Sequence, residues 1–302
     1  MKKVRILITG SEGVLGKPIN IFLRDREYSV MTLDIAGNPD CYCDVMNADL
    51  FMKIVYRFKP NIVLHLAART DPASSFLEMD EDIMTNVIGT RNVLEYLAKE
   101  GGLIIFTSSC AVYGDAFRVL NRPVLEEDAG AFTPVSPYGV NKLAAENYVR
   151  LYKKFGVDYA ILRLGNIYSE FDNHYLLWRL FISDNEPFRL YGDGKMVRDF
   201  CYVGDLCNLL LLIIDVYSEG RWRCGVYNVG HEPIEVKEIV DRFVAKYGYP
   251  KSILREEKRI GEFETMVLDT RRVRNLGWVP NVKMFDEGMD RCVKGFRERC
   301  GK

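Results

Sequence analysis

Charge of one sign is missing from this chain: 41 basic side chains stand against 42 acidic ones, a formal net charge of -1 over 302 residues. That balance leaves no electrostatic footprint for nucleic acid or an anionic membrane, although a local basic pocket for phosphate stays open. Long hydrophobic runs are missing too. The densest, Leu209 to Ile214, is six residues long, against the roughly 18 that suggest a membrane span. Behind Lys2 and Lys3, the apolar Ile6-Leu7-Ile8 is stopped by Thr9-Gly10 before a signal-like segment develops, so a cytoplasmic location is expected. The eight cysteines form no CxxC pair and no mixed His/Cys spacing of a zinc site. They read as small buried hydrophobes and inert surface thiols, and no metal is expected. Internal repeats, low-complexity tracts and linkers are absent as well.

What is present, 48% hydrophobic and 27% charged residues, is the composition of a globular protein. Over the first 165 residues, short β-branched runs alternate with longer amphipathic stretches, the pattern of βαβ units. Strands are predicted near 4–9, 29–34, 61–67, 103–108 and 157–163, with helices from Val14 to Arg26, Asn47 to Phe58, Met79 to Lys99 and Pro137 to Lys154. The fold class is therefore α/β, a doubly wound parallel sheet. After Asn166 the rhythm loosens, with Glu186-Pro187, Gly192-Asp193-Gly194 and Gly248-Tyr249-Pro250 as punctuation, and a smaller mixed α/β lobe is expected. The division anticipated is 1–168, with returns from about 200–230, against 169–199 and 231–302, with a cleft between the lobes.

Residues 4–16 run from an apolar strand through Gly10, Gly13 and Gly16 into a helix. Without Cβ atoms such a loop turns tightly and approaches a pyrophosphate, whose charge meets the free amides at the helix start. The spacing is GxxGxxG, not the common GxGxxG, and a purely structural turn is the alternative. Asp34 closes the second strand 18 residues after Gly16. Its carboxylate suits ribose hydroxyls, and with no basic residue at 35 or 36 it favours NAD over NADP; the competing role is capping the loop. Asp44-Val45 offers a second carboxylate near the adenine.

Ser136 is placed to cap a helix, Pro137 suits its first turn, and Tyr138 and Lys142 then share one face at i,i+4. An ammonium beside a phenol favours the phenolate, which would make Tyr138 a base; the spacing alone also describes an ordinary surface pair. Upstream, the strand Leu103 to Thr107 ends in Ser108-Ser109-Cys110-Ala111. Those hydroxyls fall at the carboxyl end of a sheet strand, the same cleft as the glycine loop.

With these residues together the sequence resembles the extended short-chain dehydrogenases/reductases, and within them the nucleotide-sugar epimerases of the UDP-glucose/UDP-galactose type. The marks are Thr9-Gly10-x-x-Gly13-x-x-Gly16, His65-Leu66-Ala67-Ala68, Asn86 in Asn-Val-Ile-Gly-Thr, Ser109 four residues before Tyr113, and Tyr138-x-x-x-Lys142. Later matches are Leu162-Arg163-Leu164-Gly165-Asn166-Ile167-Tyr168, with Ser169 in place of glycine, and Gly192-Asp193-Gly194 through Arg198-Asp199-Phe200 to Tyr202-Val203-Gly204-Asp205. Arg259-Ile-Gly-Glu262, with Ile260 where proline is usual, Tyr227-Asn228-Val229-Gly230 and Asn275-Leu276-Gly277-Trp278 complete the resemblance.

The resemblance implies bound NAD, contacted by Gly10, Gly13, Val14, Leu15, Gly16, Asp34, Asp44, Val45, Leu66, Ala67, Ala68, Thr107 and Ser108. It also implies that Lys142 contacts the nicotinamide ribose beside Tyr138, and that Asn86, grouped with the cofactor residues, supports the active-site helix. Ser109 would bond the reacting sugar oxygen, Asn166 would touch the sugar nucleotide, and Arg198 and Arg259 would clamp its diphosphate. His65 reads as a packed strand-end residue. Dehydratases of the family carry Asp-Glu, and decarboxylases Glu, just after the serine; Cys110-Ala111 here favours epimerisation of a UDP-hexose at C4. A 4,6-dehydratase, decarboxylase or reductase of the same family is the alternative, and a non-catalytic NAD sensor a more distant one. Loops 69–78, 115–135 and 170–180 are where the family varies its sugar, and a homodimer through the helices near Asn86 and Tyr138 is expected.

Overall fold

The structure, a computed structural model, describes residues 4–183, 187–257 and 265–301. Its first strands are β1 (Arg5–Thr9), β2 (Ser29–Asp34), β3 (Cys41–Tyr42), β4 (Ile62–His65), β5 (Gly102–Ser109) and β6 (Val157–Leu164). After them come β7 (Asn166–Tyr168), β8 (Phe188–Tyr191), β9 (Val197–Tyr202) and β10 (Gly225–Val229). Seven of these form one sheet in the order β10-β6-β5-β4-β1-β2-β3, and every pairing in it is parallel. Parallel strands need crossovers, and helices on both faces bury both sides, which is why β1 and β4 carry unbroken apolar centres, Ile6-Leu7-Ile8 and Ile62-Val63-Leu64.

Side chains sort by parity. Ile6, Ile8, Leu64 and Ile105 pack with the helices Gly16–Arg24 and Val203–Ser218, while Leu7, Val63, Ile104 and Ile161 pack with Ala48–Phe58, Thr90–Glu100 and Pro137–Tyr152. The chain winds outward from β1 through β2 to β3, then crosses to β4 and winds the other way. The switch between β1 and β4 opens a crevice at the strands' carboxyl ends, where α/β sheets bind ligands. Beyond this crevice, β9 pairs with β7, with β11 (Glu232–Glu235) and with β13 (Thr265–Met266); β8 pairs with β12 (Ile253–Glu256). Among the described residues no helix is long and apolar enough to cross a membrane.

Two boundaries depart from expectation. The first helix begins at Gly16, two residues after Val14, because the glycine turn extends that far. The helix expected from Met79 to Lys99 is interrupted: Met79–Ile83 and Thr90–Glu100 flank a wide turn, Met84–Gly89. There the Thr90 hydroxyl donates to the Asn86 carbonyl at 2.7 Å, and Gly89 leaves room for Val45, whose Cγ2 a Cβ would meet at 2.6 Å. Such widened turns recur next to functional sites, and this one sets Asn86.

Candidate active site

A cavity of about 930 Å³ occupies the switch-point crevice. One wall is the glycine loop. Gly10 sits at φ +71°, and a Cβ there would lie 2.6 Å from the Ala67 nitrogen; a Cβ on Gly16 would lie 2.2 Å from the Gly10 oxygen. These two glycines let the loop fold on itself. Gly13 differs, since its Cβ would meet nothing closer than the Gly10 oxygen at 3.4 Å. Its bare backbone faces the cavity, ahead of a helix with no acidic residue in its first turn. That arrangement fits the pyrophosphate of a dinucleotide.

Asp34 performs the capping role and still reaches the cavity. One carboxylate oxygen accepts the Glu12 N–H at 2.8 Å; the other accepts those of Ile35 at 2.6 Å and Ala36 at 3.2 Å. Held by its own turn, it keeps lone pairs for ribose hydroxyls. Asp44, which accepts the Met46 N–H at 2.9 Å, and buried Val45 line the same end, as do Val14, Leu15, Leu66, Ala67 and Ala68.

At the other end Ser136 caps the Pro137–Tyr152 helix by accepting the Gly139 N–H at 3.2 Å. Tyr138 and Lys142 follow on its inner face, both buried, and both line the cavity with Thr107, Ser108 and Ser109. The Ser109 hydroxyl hydrogen-bonds the Tyr138 phenol and also accepts the Ala111 N–H at 3.1 Å. Ser108 lines the cavity, but its hydroxyl is committed to Glu146 at 2.6 Å.

The expected priming of the phenol by Lys142 is not what the structure gives. Burial raises the Tyr138 pKa above the ordinary tyrosine value, opposed by the Ser109 hydrogen bond; Tyr175, Cys110 and Asp82 raise it further. The lysine ammonium instead donates to the Thr107 carbonyl at 3.0 Å and lies 4.8 Å from the Phe106 ring centre. Burial holds its own pKa down to about 8, against the pull of Asp82 and Glu146. Desolvation of both partners outweighs their adjacency. His65 is a packed, neutral residue: its ring bonds Thr9 at 2.7 Å and Thr90 at 3.1 Å, and burial, with Lys142, holds its pKa near 3.

Asn86, grouped with the cofactor residues from sequence, does not line the cavity. It is buried behind it, accepting the Arg69 N–H and donating to the Arg69 carbonyl, both at 3.1 Å, and donating to Asp82 at 3.0 Å. The wide turn rotates its side chain toward those partners. On the far side Asn166 and Arg198 line the cavity from neighbouring strands, Asn166 standing opposite Phe200 in register. Arg198 is buried, donates to the Val197 carbonyl at 3.0 Å, and its charge acts on Cys110. Arg259 lies outside the described residues.

Loop residues missed from sequence complete the rim. Tyr175 and Thr70, hydrogen-bonded to each other, both line the cavity, while Ser75, buried behind it, accepts the backbone N–H of Tyr138 at 3.1 Å. Loops 69–78 and 170–180 thus reach the site, as their variability in the resembled family suggested. Nothing periodic marks these residues, so composition and motif carry no signal for them.

A switch-point cleft with a glycine loop on one wall and a Ser/Tyr/Lys group on the other defines the extended short-chain dehydrogenase/reductase class. Within it the chain belongs to the NAD dependent epimerase/dehydratase family, whose model matches residues 6–230. It is similar to a Methanocaldococcus jannaschii protein provisionally named a UDP-glucose 4-epimerase, 32% identical over 95% of this chain and 97% of the relative. An Escherichia coli dTDP-4-dehydro-6-deoxyglucose reductase is 27% identical over 98% of both chains. Among solved structures, the UDP-glucose 4-epimerase of Thermotoga maritima with UDP-glucose superposes with a TM-score of 0.87 at 26% identity, covering 98% of this chain and all of the other.

Proposed function

We propose that the chain is a nucleotide-sugar 4-epimerase, with UDP-glucose and UDP-galactose as its leading substrates. The observation that carries this reading is the turn after Ser109. Where dehydratase or decarboxylase chemistry calls for a carboxylate, Cys110 is buried against the cavity with its thiol pushed up to about 11, a neutral and weak acid. The Tyr138–Ser109 pair is left as the proton-handling group beside the reacting carbon.

In this reading the glycine loop, Val14 and Leu15 hold the pyrophosphate, Asp34 the adenosine ribose, and Asp44 and Val45 the adenine. Leu66, Ala67, Ala68, Thr107 and Ser108 flank the rest of the dinucleotide, and Lys142 holds the nicotinamide ribose. NAD, when bound, supplies a cationic ring that accepts the C4 hydride and gives it back. A positive charge there offsets the burial that holds the Tyr138 phenol protonated. Tyr138 takes the C4 hydroxyl proton, Ser109 steadies the oxygen, and a 4-keto sugar forms. Arg198 and Arg259 clamp the diphosphate and Asn166 touches the sugar nucleotide while the sugar ring turns; the hydride then returns to the opposite face of C4 and Tyr138 returns the proton to the C4 oxygen. The functional division proposed is 1–168, with returns from 200–230, for the cofactor, and 169–199 with 231–302 for the sugar nucleotide.

Incubation with a panel of UDP-, GDP- and dTDP-sugars, followed by proton NMR, tests this directly. Expected is inversion at C4 of a UDP-hexose with no added reductant and no net loss of water. Accumulation of a 4-keto-6-deoxy sugar, or stoichiometric consumption of reduced nicotinamide, overturns it.

The same reading includes a homodimer. Met79, Ile83 and Met84 expose 42–48% of their surface, and Val140, Tyr148 and Leu151, spaced along one helix face, 41–47%. A second copy would bury both sets. Sedimentation at micromolar concentration should give twice 34.8 kDa, and Val140→Asp should give the single chain; a native monomer rejects the dimer.

A further inference from the structure

Asp82 is buried completely, yet only half of its carboxylate is used. Its Oδ2 accepts two side-chain amides, from Asn86 at 3.0 Å and from Asn141 at 2.8 Å. Its Oδ1 has no hydrogen-bond partner among the described residues. A buried carboxylate left half-satisfied costs free energy unless something nearby gains from its charge. Asn141 lies on the Pro137–Tyr152 helix directly before Lys142 and one turn from Tyr138, so the amide that Asp82 grips belongs to the turn carrying both groups.

We propose that Asp82 is a positioning residue for the Tyr138–Lys142 pair: through Asn141 it fixes that helix turn, and its charge compensates the buried Lys142 ammonium. The surroundings leave few other groups for the second task. Lys142 meets the neutral Thr107 carbonyl and the Phe106 ring from β5, lies near neutral His65 from β4, and follows Tyr138 by four residues on their shared helix. Glu146, one turn further along, is shared between the Arg163 and Arg150 guanidiniums at 2.7 and 2.6 Å. Among the described residues Asp82, from the Met79–Ile83 helix, has no cationic hydrogen-bond partner of its own. It is also the first of the two charges that oppose the burial of Lys142. The same charge adds, after burial, Tyr175 and Cys110, to what raises the Tyr138 pKa. Asp82 thus supports a lysine that stays cationic at neutral pH.

The catalytic half of this inference rests on the proposed epimerase reading; the charge half does not, and the experiment separates them. In protein labelled with 13C-lysine, with the Lys142 resonance identified through Lys142→Arg, titration of the native chain should give a midpoint near 8. Asp82→Asn should lower that midpoint by about one pH unit or more and move the alkaline limb of kcat/KM with it. Asn141→Ala, which cuts the tether but keeps the charge, should leave the midpoint in place and lower kcat by roughly tenfold. A native midpoint below neutrality, an unmoved midpoint in a folded Asp82→Asn chain, or full activity in Asn141→Ala overturns the proposal. Absence of turnover on every sugar nucleotide, with the midpoint shift intact, rejects the epimerase reading and leaves the charge pairing standing.

Discussion

Tyr138→Phe is expected to lower kcat by roughly 10³- to 10⁴-fold or more, the scale of losing a positioned general acid/base, while the chain still binds NAD. The substitution is close to isosteric, and the structure gives the side chain little else to do. Its backbone N–H stays with Ser75 at 3.1 Å, the helix keeps its Ser136 cap, and the ring remains buried. Only the phenol oxygen goes, leaving Ser109 without its proton partner. The cofactor wall, built from Gly10, Gly13, Gly16 and Asp34 at the other end of the cavity, is untouched. Turnover followed by NMR and cofactor retention followed by absorbance of the released nucleotide check the two halves separately. Activity within tenfold of the native enzyme would remove Tyr138 from the chemistry, whereas loss of NAD with the activity would make it a structural residue.

The outline of this site was readable in the sequence because its parts are local. A glycine trio between an apolar strand and a helix is one continuous segment, and Ser136-Pro137-Tyr138 with Lys142 needs only a capped helix to share a face. The parallel sheet was equally plain, since strands buried on both faces, such as Ile62–His65, have no room for polar alternation. What stayed hidden depends on partners far apart in the chain. That Lys142 spends its charge on the Thr107 carbonyl, 35 residues away, cannot be seen in an i,i+4 spacing. Nor can the burial that turns a helpful neighbour into a weak one. The family motif groups Asn86 with the cofactor residues and makes it a support of the active-site helix; the wide turn at Met84–Gly89 sets it behind the cavity, on Asp82 and the Arg69 backbone. Helix periodicity carries no warning of such a turn, because the residues on either side of it remain helical.

Glu146→Ala should be the most destabilising single change near the site, by about 3–5 kcal/mol, because it strands a buried cation. Arg163 is 1% exposed and grips Glu146 with two nitrogens, Nε at 2.9 Å and Nη2 at 2.7 Å. Its remaining nitrogen donates to the Tyr113 hydroxyl at 3.0 Å and the Glu126 carbonyl at 2.7 Å, and Tyr113 in turn bonds Asn228. One ion pair therefore joins β5, through Ser108, to β6, β10 and the helix of Tyr138. Without Glu146 the guanidinium keeps its desolvation cost and loses its counter-charge, and the Ser108 hydroxyl loses its acceptor at the end of the strand that presents Ser109. Urea denaturation should show the midpoint falling sharply at unchanged slope. The paired change Glu146→Leu with Arg163→Met, which removes both charges and fills the space, should recover most of the loss. If Glu146→Ala alone costs under about 1 kcal/mol, the scale of an exposed ion pair, the guanidinium is solvated and the network is not a buried one. If the double change is no better than the single, the loss comes from the missing Ser108 acceptor and not from the stranded charge. Recovery of stability without recovery of turnover is the expected pattern, because the apolar pair restores packing but leaves Ser108 unanchored and removes one of the two carboxylates whose charge supports Lys142.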